Sequence, residues 1–239
     1  MIDNICVVIP TLNEAATIEQ TIDQVRAHCN AILVIDGGST DDTVELSQKA
    51  GADVKVLLER GKGRALIHVL QYVNHPITIF IDADGSHDGN DIPALVQPII
   101  DDKADMVIGS RWAGGSDELH GDMNKWLRRS GSIVLTTLVN WRFGAHLSDI
   151  QNGYRAFRTE IGRNIGLEEI GFTIEQEMVM KFLAGKFRVI NVPSHEYARQ
   201  GGTAKLNLGQ VWFKFGTVAL RHLLGFAKPK IKRGDKFDQ

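Results

Sequence analysis

The first 110 residues alternate short apolar runs with segments of helical periodicity. The runs are four or five residues long, rich in β-branched side chains, and each is followed by a Gly, Pro or Asp turn signal. Buried parallel strands have this pattern because both faces of their sheet are covered. The runs occupy residues 5–9, 31–35, 54–58, 78–81 and 105–108. The alternation predicts an α/β fold with a doubly wound, mostly parallel sheet and right-handed crossovers.

Helices are expected between these strands and after them. Ile18, Ile22 and Val25 share one helical face. Ser39 and Thr40 are expected to cap the second helix, with an acidic first turn formed by Asp41 and Asp42. The second half predicts helices over 122–143 and 173–184 and a strand over 187–192. The apolar positions of the first of these helices include Trp126, Leu127, Ile133, Leu138 and Trp141. No polar linker divides the chain, which indicates one domain over 1–206, followed by an amphipathic helix and basic tail over 207–239.

Composition excludes several classes of protein. The chain of 239 residues has 27 Lys and Arg against 29 Asp and Glu, whereas general nucleic-acid binders are strongly basic. Its two cysteines, Cys6 and Cys29, cannot form a disulfide framework and indicate a reducing compartment. No basic segment precedes the first apolar run, and no apolar run reaches about 18 residues. We therefore expect no signal peptide, no spanning helix and a cytoplasmic location.

Polar segments follow the first, second and fourth strands, where ligands of doubly wound sheets bind. These segments are residues 10–14, 36–42 and 82–87. The first turn lacks the G-x-G-x-x-G pattern, which argues against nicotinamide dinucleotide binding. Asp36 ends the second strand, where a carboxylate accepts hydrogen bonds either from a ribose or base or from its own turn.

The pair Asp82 and Asp84 is the strongest single feature. Two carboxylates at a strand end can share a divalent cation that also binds phosphate oxygens. Ser86 offers a further oxygen, whereas His87 is a weaker candidate because hard cations prefer oxygen ligands. The alternative is a solvated turn, but an apolar strand delivers both acids to the expected site. The pair therefore predicts a Mg²⁺ or Mn²⁺ site.

Several segments taken together resemble a known family. Residues 7–14, 34–43, 61–65 and 81–84 are similar, in order and spacing, to the family 2 inverting glycosyltransferases of GT-A fold. The later segments 107–111, 149–157, 191–193 and 199–206 look like the dolichol-phosphate mannose synthase branch, which glycosylates polyprenyl phosphates. The resemblance covers about residues 5–206 and implies a Rossmann-like GT-A domain.

The resemblance also implies a donor site for a nucleotide diphosphate sugar. In it, Asp82 and Asp84 would hold the cation, with Ser86 at a third metal position. The remaining donor contacts implied are Pro10, Glu14 and Asp36 for the nucleoside, and Lys62, Arg199 and Lys205 for the phosphates. Ser86, and Asn152 with Tyr154, differ from the more usual family residues, so the sugar and the choice between GDP and UDP stay open.

The expected acceptor is a lipid phosphate. Arg111, together with Arg128 and Ser132 on one helical face, would cradle it, because arginine forks bind phosphate oxygens. Arg155 is a further candidate, and the alternative for each arginine is a surface ion pair. A phosphate monoester is already an anion and needs no general base. A hydroxyl acceptor would need one, and Asp149 or Glu175 would then be the candidates.

The C-terminal stretch combines a wide apolar face with basic residues. A helix from Leu208 would place Gln210, Lys214, Thr217, Arg221 and Lys228 on one stripe. Residues 205–236 contain eight bases and one acid. This pattern favours an interfacial helix on the cytoplasmic face of a membrane, although packing on its own domain or on a second subunit is the alternative. We expect a lipid-phosphate glycosyltransferase. The rivals are transfer to a soluble hydroxyl and non-catalytic nucleotide-sugar binding.

Overall fold

The computed structural model describes residues 1–58, 61–117, 123–200 and 208–235, without the side chains of 123–128 and 208–213. The strands are β1 Ile5–Thr11, β2 Ile32–Asp36, β3 Asp53–Val56, β4 Ile77–Phe80, β5 Met106–Ser110, β6 Arg155–Arg158 and β7 Val189–Pro193. The helices are α1 Ile18–Arg26, α2 Thr43–Lys49, α3 Lys62–Val69, α4 Ile92–Ile100, α5 Arg111–Gly114, α6 Met123–Phe143, α7 Thr159–Asn164, α8 Ile174–Ala184 and α9 Leu208–Leu223. All of the predicted strands and long helices are present, with small shifts at their ends.

The seven strands form one sheet in the order β3-β2-β1-β4-β6-β5-β7. Every pairing is parallel except those of β6, which runs antiparallel to both β4 and β5. The predicted mostly parallel α/β sheet is therefore confirmed. β6 was not predicted, because its four residues carry arginine at both ends and show no apolar run.

Each face of the sheet buries its own apolar core. Side chains of β1 alternate between them, so Val8 enters one core while Val7 and Ile9 enter the other. The second core includes the predicted α1 face of Ile18, Ile22 and Val25. Helices thus cover both faces, as a doubly wound sheet requires.

The prediction that Ser39 and Thr40 cap the second helix was wrong. α2 begins at Thr43, its preceding residue is Asp42, and its first-turn acid is Glu45, so Asp41 and Asp42 precede the helix. The two hydroxyl residues instead join the β1 and β2 loops. The Ser39 hydroxyl accepts from the Asn13 amide at 2.8 Å, and the Thr40 amide donates to the Asn13 side chain at 2.8 Å. Contacts between two loops at the sheet edge thus replace the expected local cap.

The two late helices are anchored on one side and exposed on the other. On α6, Leu135 and Val139 are buried, whereas Ile133, Leu138 and Trp141 are exposed. α9 contacts α6 and α8, and its Val218 and Ala219 lie in the same core as Leu135. Among the described residues, no helix is long and apolar enough to cross a membrane.

Candidate active site

The loops after β1 and β2 are tied together by Asp36. This carboxylate is fully buried and accepts from the Thr11 hydroxyl at 3.1 Å. It also accepts from the Gly38 amide at 2.9 Å, the Ser39 amide at 2.8 Å and the Ser39 hydroxyl. Asp36 therefore holds its own turn, which is the local role weighed from the sequence. Its contact with a nucleoside stays a prediction.

Pro10 and Glu14 lie at the same edge of the sheet. Pro10 pairs with Ile35 near the end of β1, and both Pro10 and Glu14 are half-buried. The Glu14 amide donates to the Thr43 hydroxyl at 2.9 Å, which fixes the β1 loop on the start of α2. The structure thus brings together the three residues expected to hold the nucleoside.

Lys62 lies between two carboxylates. Its Nζ is 2.6 Å from Asp82 Oδ1 and 2.7 Å from Glu175 Oε1. Burial alone would lower the pKa of Lys62, but Asp82 and Glu175 together raise it above its ordinary value. Burial likewise opposes ionisation of Asp82, yet Lys62, followed by His87 and Arg199, holds the pKa of Asp82 at about 2. Both groups are therefore charged at neutral pH.

Asp84 is held by residues before and after it. Its Oδ1 accepts from the Ser86 amide at 3.1 Å and the Ser86 hydroxyl at 2.6 Å. Its Oδ2 lies 3.2 Å from Arg199 Nε. Each acid of the pair is thus matched with a basic side chain, Lys62 at Asp82 and Arg199 at Asp84.

The oxygens at this edge fit a hard divalent cation. Asp82, Asp84 and the Ser86 hydroxyl supply oxygen, and the described residues contain no group of three or more His, Cys, Asp or Glu so placed that together they could hold a metal ion. Such a sparse set suits Mg²⁺ or Mn²⁺, which complete their shell with water and substrate phosphate. The His87 ring is buried against Tyr154, with 5.0 Å between ring centroids. Burial lowers the pKa of His87 against the raising effect of Asp82, Glu196 and Asp84, and the ring packs on Tyr154 instead of offering an oxygen ligand.

On the other side of the site, Arg111 and Asp149 form a two-point ion pair. Arg111 Nε is 2.7 Å from Asp149 Oδ2, and its second nitrogen is 3.1 Å from Oδ1. Glu196 Oε1 lies 3.5 Å from Arg111, and Glu196 also accepts from the Ser116 hydroxyl at 2.5 Å. Burial opposes the charge of Asp149, but Arg111 holds the pKa of Asp149 below its ordinary value. The sequence placed both residues at the site but did not indicate that they bind each other.

The sequence did not indicate that Glu175 and Glu196 are partners of the basic residues. Glu175 was considered only as a base for a hydroxyl acceptor, and Glu196 not at all. The acid in the first turn after Thr173 was the available signal for Glu175. Glu196 carries no local signal, because it reaches Ser116 through an isolated bridge between distant segments.

Of the remaining acceptor residues, Ser132 is buried on α6, and its hydroxyl has no partner among the described residues. The Arg129 guanidinium lies 5.0 Å from the Trp112 ring centroid, which places this part of α6 beside Arg111. The side chain of Arg128 and the whole of Lys205 lie outside the described residues.

Arg155 has a structural role, and its expected place in the acceptor cluster was wrong. It is fully buried and donates to the main-chain oxygens of Asn152, Glu175 and Ile150, at 2.7 Å for Glu175. Burial lowers the pKa of Arg155 to about 10. Its guanidinium fixes the start of α8 and is not available to a ligand.

Comparison with known proteins agrees with this geometry. The model of glycosyl transferase family 2 matches residues 6–166. The chain is 36% identical over 203 residues to glycosyltransferase AglJ of Haloferax volcanii, across 84% of this chain and 65% of AglJ, which is less than two thirds of that relative. It is 28% identical over 246 residues to polyprenol monophosphomannose synthase of Mycolicibacterium smegmatis, covering 95% of this chain and 91% of the relative.

A solved structure supports the fold independently. Glucosyl-3-phosphoglycerate synthase from Mycobacterium tuberculosis, crystallised with Mn²⁺, UDP and glucosyl-3-phosphoglycerate, superposes with a TM-score of 0.74 at 22% identity. The match covers 92% of this chain and 80% of that chain, and it shows a shared GT-A type of fold. The family match and the arrangement of strands and acids at the sheet edge lead to one conclusion: the chain belongs to glycosyl transferase family 2.

Proposed function

We propose that this enzyme transfers one sugar from a nucleotide diphosphate sugar, GDP-mannose or a UDP-sugar, to a polyprenyl phosphate, with inversion at the anomeric carbon. One observation carries the proposal. Asp82 and Asp84 lie at the sheet edge with Lys62 and Arg199 directly on them, so acids for a cation and bases for a diphosphate share one site. The name of the Mycolicibacterium smegmatis relative supports the polyprenyl phosphate acceptor.

The donor is held in two parts. Pro10, Glu14 and Asp36 take the nucleoside. Asp82 and Asp84 hold Mg²⁺ or Mn²⁺ with Ser86 beside them, as the Mn²⁺ in the solved neighbour also supports. The cation neutralises charge on the leaving diphosphate, which is the chemistry it supplies. The basic residues of the phosphate side are Lys62, Arg199 and Lys205.

The reaction needs alignment more than proton transfer. An oxygen of the acceptor phosphate forms a bond to the anomeric carbon while the bond from that carbon to the diphosphate breaks. The attacking oxygen is already an anion, and no proton moves. Arg111, Arg128 and Ser132 position the acceptor phosphate, so that catalysis consists of orientation and stabilisation of the leaving group.

A phosphate acceptor also agrees with the state of the two possible bases. Asp149 accepts from Arg111 through both oxygens, and Glu175 is paired with Lys62. Arg111 keeps the pKa of Asp149 below its ordinary value, which makes Asp149 a poor base, and Lys62 occupies one oxygen of Glu175. The second candidate function, the same donor chemistry on a soluble hydroxyl, is prompted by the name of the solved neighbour. Simple nucleotide-sugar binding without catalysis is disfavoured by the intact acidic pair.

The exposed apolar surface fits a lipid acceptor. Val218 and Ala219 of α9 lie in the core, whereas Leu220 of the same helix is exposed. Leu224 and Phe226, just beyond the end of α9, are exposed as well. The exposed Trp141 of α6 adds to the apolar surface of these two contacting helices. Exposed bases on the same stretch are Lys214, Arg221 and Lys228. We propose that this surface rests on the cytoplasmic face of a membrane, where it meets apolar lipid and anionic headgroups.

The test is a donor screen with three acceptors: a polyprenyl phosphate, the matching polyprenol and 3-phosphoglycerate. Release of nucleoside diphosphate is measured with each GDP- and UDP-sugar, with and without chelator. We expect nucleoside diphosphate to be released with polyprenyl phosphate but with neither of the other two acceptors, and we expect chelator to abolish this release. Turnover with 3-phosphoglycerate or polyprenol in place of the lipid phosphate would support the hydroxyl-acceptor function. Donor binding without release from any acceptor would support a binding protein.

A further inference from the structure

Lys62 contacts Asp82, one of the two carboxylates that the proposed donor site assigns to the cation. Its Nζ contacts Asp82 Oδ1, an oxygen that a cation bound at Asp82 would use. The other oxygen, Oδ2, lies against the backbone of Gly153, where an added Cβ would come within 2.6 Å of it. An ammonium and a divalent cation bound to the same carboxylate oxygen would lie so close together that their positive charges would repel strongly. Lys62 therefore competes with a cation for Asp82.

Glu175 provides the place to which Lys62 can withdraw. Lys62 Nζ already lies 2.7 Å from Glu175 Oε1, and Glu175 Oε2 is buried with no partner among the described residues. The Asp82 side chain is 30% exposed but that of Glu175 only 7%, so Glu175 forms the deeper end of the trio. The ammonium can leave Asp82 and still keep Glu175 as a carboxylate partner.

The surroundings hold Glu175 in that position. Arg155 donates to the Glu175 main-chain oxygen at 2.7 Å and fixes the first turn of α8. The centroid of the Phe172 ring lies 5.8 Å from Lys62 Nζ. An aromatic face near an ammonium stabilises it at a modest level. The fold thus keeps a second carboxylate and an aromatic ring close to the Lys62 ammonium.

We propose that Lys62 occupies the cation's place at Asp82 until a complex of cation and nucleoside diphosphate displaces it, and that Glu175 is the positioning residue that then retains the Lys62 ammonium. The proposal rests on the proposed function of Asp82 and Asp84 as the cation site. It has two consequences. A free divalent cation binds poorly, because the Lys62 charge opposes it. A cation that arrives with a diphosphate binds well, because the negative charge of the diphosphate offsets the repulsion between the cation and Lys62.

The experiment is a titration of the full chain with Mn²⁺, in the absence of nucleotide and in the presence of GDP or UDP. The free Mn²⁺ is measured at each step by its electron paramagnetic resonance signal. For Lys62→Met, Mn²⁺ alone should bind about 10-fold more tightly or better, since an opposing charge is gone. Lys62→Arg should keep the weak binding of the unchanged protein. Lys49→Met is the matched control, because Lys49 forms an exposed ion pair with Glu45 on α2 and should change nothing.

Glu175→Gln tests the second half of the proposal. It should weaken Mn²⁺ binding in the presence of the nucleotide by about 10-fold, since Lys62 then has no carboxylate to receive it. In the Lys62→Met background the same change should cost less than about 3-fold, because Glu175 acts through Lys62. Glu175→Asp keeps the charge and should behave like the unchanged protein. Thermal unfolding checks that each variant is folded, and Glu175→Ala, which also removes the carboxylate, replaces Glu175→Gln in both backgrounds if the amide variant is not.

Two outcomes would overturn the proposal. One is an unchanged affinity of Lys62→Met for Mn²⁺ alone. The other is an equal cost of Glu175→Gln with and without Lys62. Failure of the underlying function has a different signature. If Asp84→Ala binds Mn²⁺ with nucleotide as tightly as the unchanged protein, the acidic pair is not the cation site at all.

Discussion

Arg199 Nε lies 3.2 Å from Asp84 Oδ2, so a residue late in the chain forms an ion pair with the second acid of the pair that follows β4. The Gln200 amide donates to the Asp84 main-chain oxygen at 3.1 Å, and the Tyr197 amide donates to the Ser86 oxygen at 2.9 Å. The segment around Arg199 is therefore built onto the acidic turn by main-chain bonds. Asp84 is fixed by this segment as well as by its own loop.

Replacing Asp84 by Ala should abolish transfer, by about 100-fold or more, because one oxygen ligand of the aligning cation is lost. The melting temperature should change by only a few degrees, since Asp84 lies at the site edge and not in either core. Mg²⁺ or Mn²⁺ should restore unchanged enzyme that has been treated with chelator. Asp23→Ala, an exposed acid on α1, is the control. Normal turnover by Asp84→Ala in excess chelator would contradict the role.

Replacing Arg128 by Ala should raise the Michaelis constant for the lipid phosphate more than that for the donor. Arg128 and Ser132 are spaced to share one helical face, and Ser132 is buried beside the Arg111 region. Arg129→Ala is the matched control, because Arg129 lies over Trp112 and should affect stability more than either constant. Steady-state kinetics with each substrate varied in turn distinguish the cases. An equal rise in both constants for Arg128→Ala would indicate a structural role.

Replacing Asp149 by Asn should lower the free energy of unfolding by about 3 kcal/mol, because the half-buried Arg111 then loses its two-point contact with the fully buried Asp149 carboxylate. Denaturant unfolding measures the loss. Asp101→Asn is the control, since Asp101 pairs with the exposed Lys103. A loss below about 1 kcal/mol for Asp149→Asn would show that Glu196 alone can hold Arg111.

Stability should fall as the pH drops from about 6.5 to about 4, because of His222. This side chain is buried on α9 facing Glu177, Lys181, Arg221 and Glu168, and burial lowers the pKa of His222 to about 4. A depressed pKa means that the unfolded chain binds the proton first, so His222 contributes stability above about pH 6.5 that is lost through its folded pKa. Urea unfolding between pH 7 and pH 4 should show a shallower decline for His222→Gln. If the free energy of unfolding falls with pH as steeply for His222→Gln as for the unchanged protein, other groups cause the decline.

Membrane contact is best tested by point changes, because α9 also packs on the core, and a chain ending near residue 206 would lack Val218 and Ala219 and expose the core that they cover. Leu224→Ser with Phe226→Ser should reduce flotation with vesicles, and binding should grow with anionic lipid and weaken with salt. Val56→Ser with Leu58→Ser, exposed apolar residues elsewhere, is the control. If the unchanged protein stays unbound at every lipid composition, this surface is a packing or subunit contact.

The fold was predictable because its signal is local. Each buried strand carries its own apolar run, and Asp82 and Asp84 follow such a run directly, so their place at the sheet edge follows from the sequence. Partners were not predictable, because a charge pattern does not say which acid meets which base. Lys62 and Glu175 are far apart in the chain and meet only because α3 packs against α8. Arg155 reads as a surface cation, but its strand lies inside the sheet.

The antiparallel direction of β6 has a mechanical consequence. The segment that enters this strand, residues 149–154, crosses the sheet edge between the two halves of the site. At one end Asp149 holds Arg111, and at the other Gly153 lies against Asp82 and Lys62. A single short peptide thus spans the gap between the sugar-nucleotide side and the acceptor side. The two halves of the site therefore share one short segment of chain, and the positions of Asp82 and Arg111 both depend on how residues 149–154 are placed.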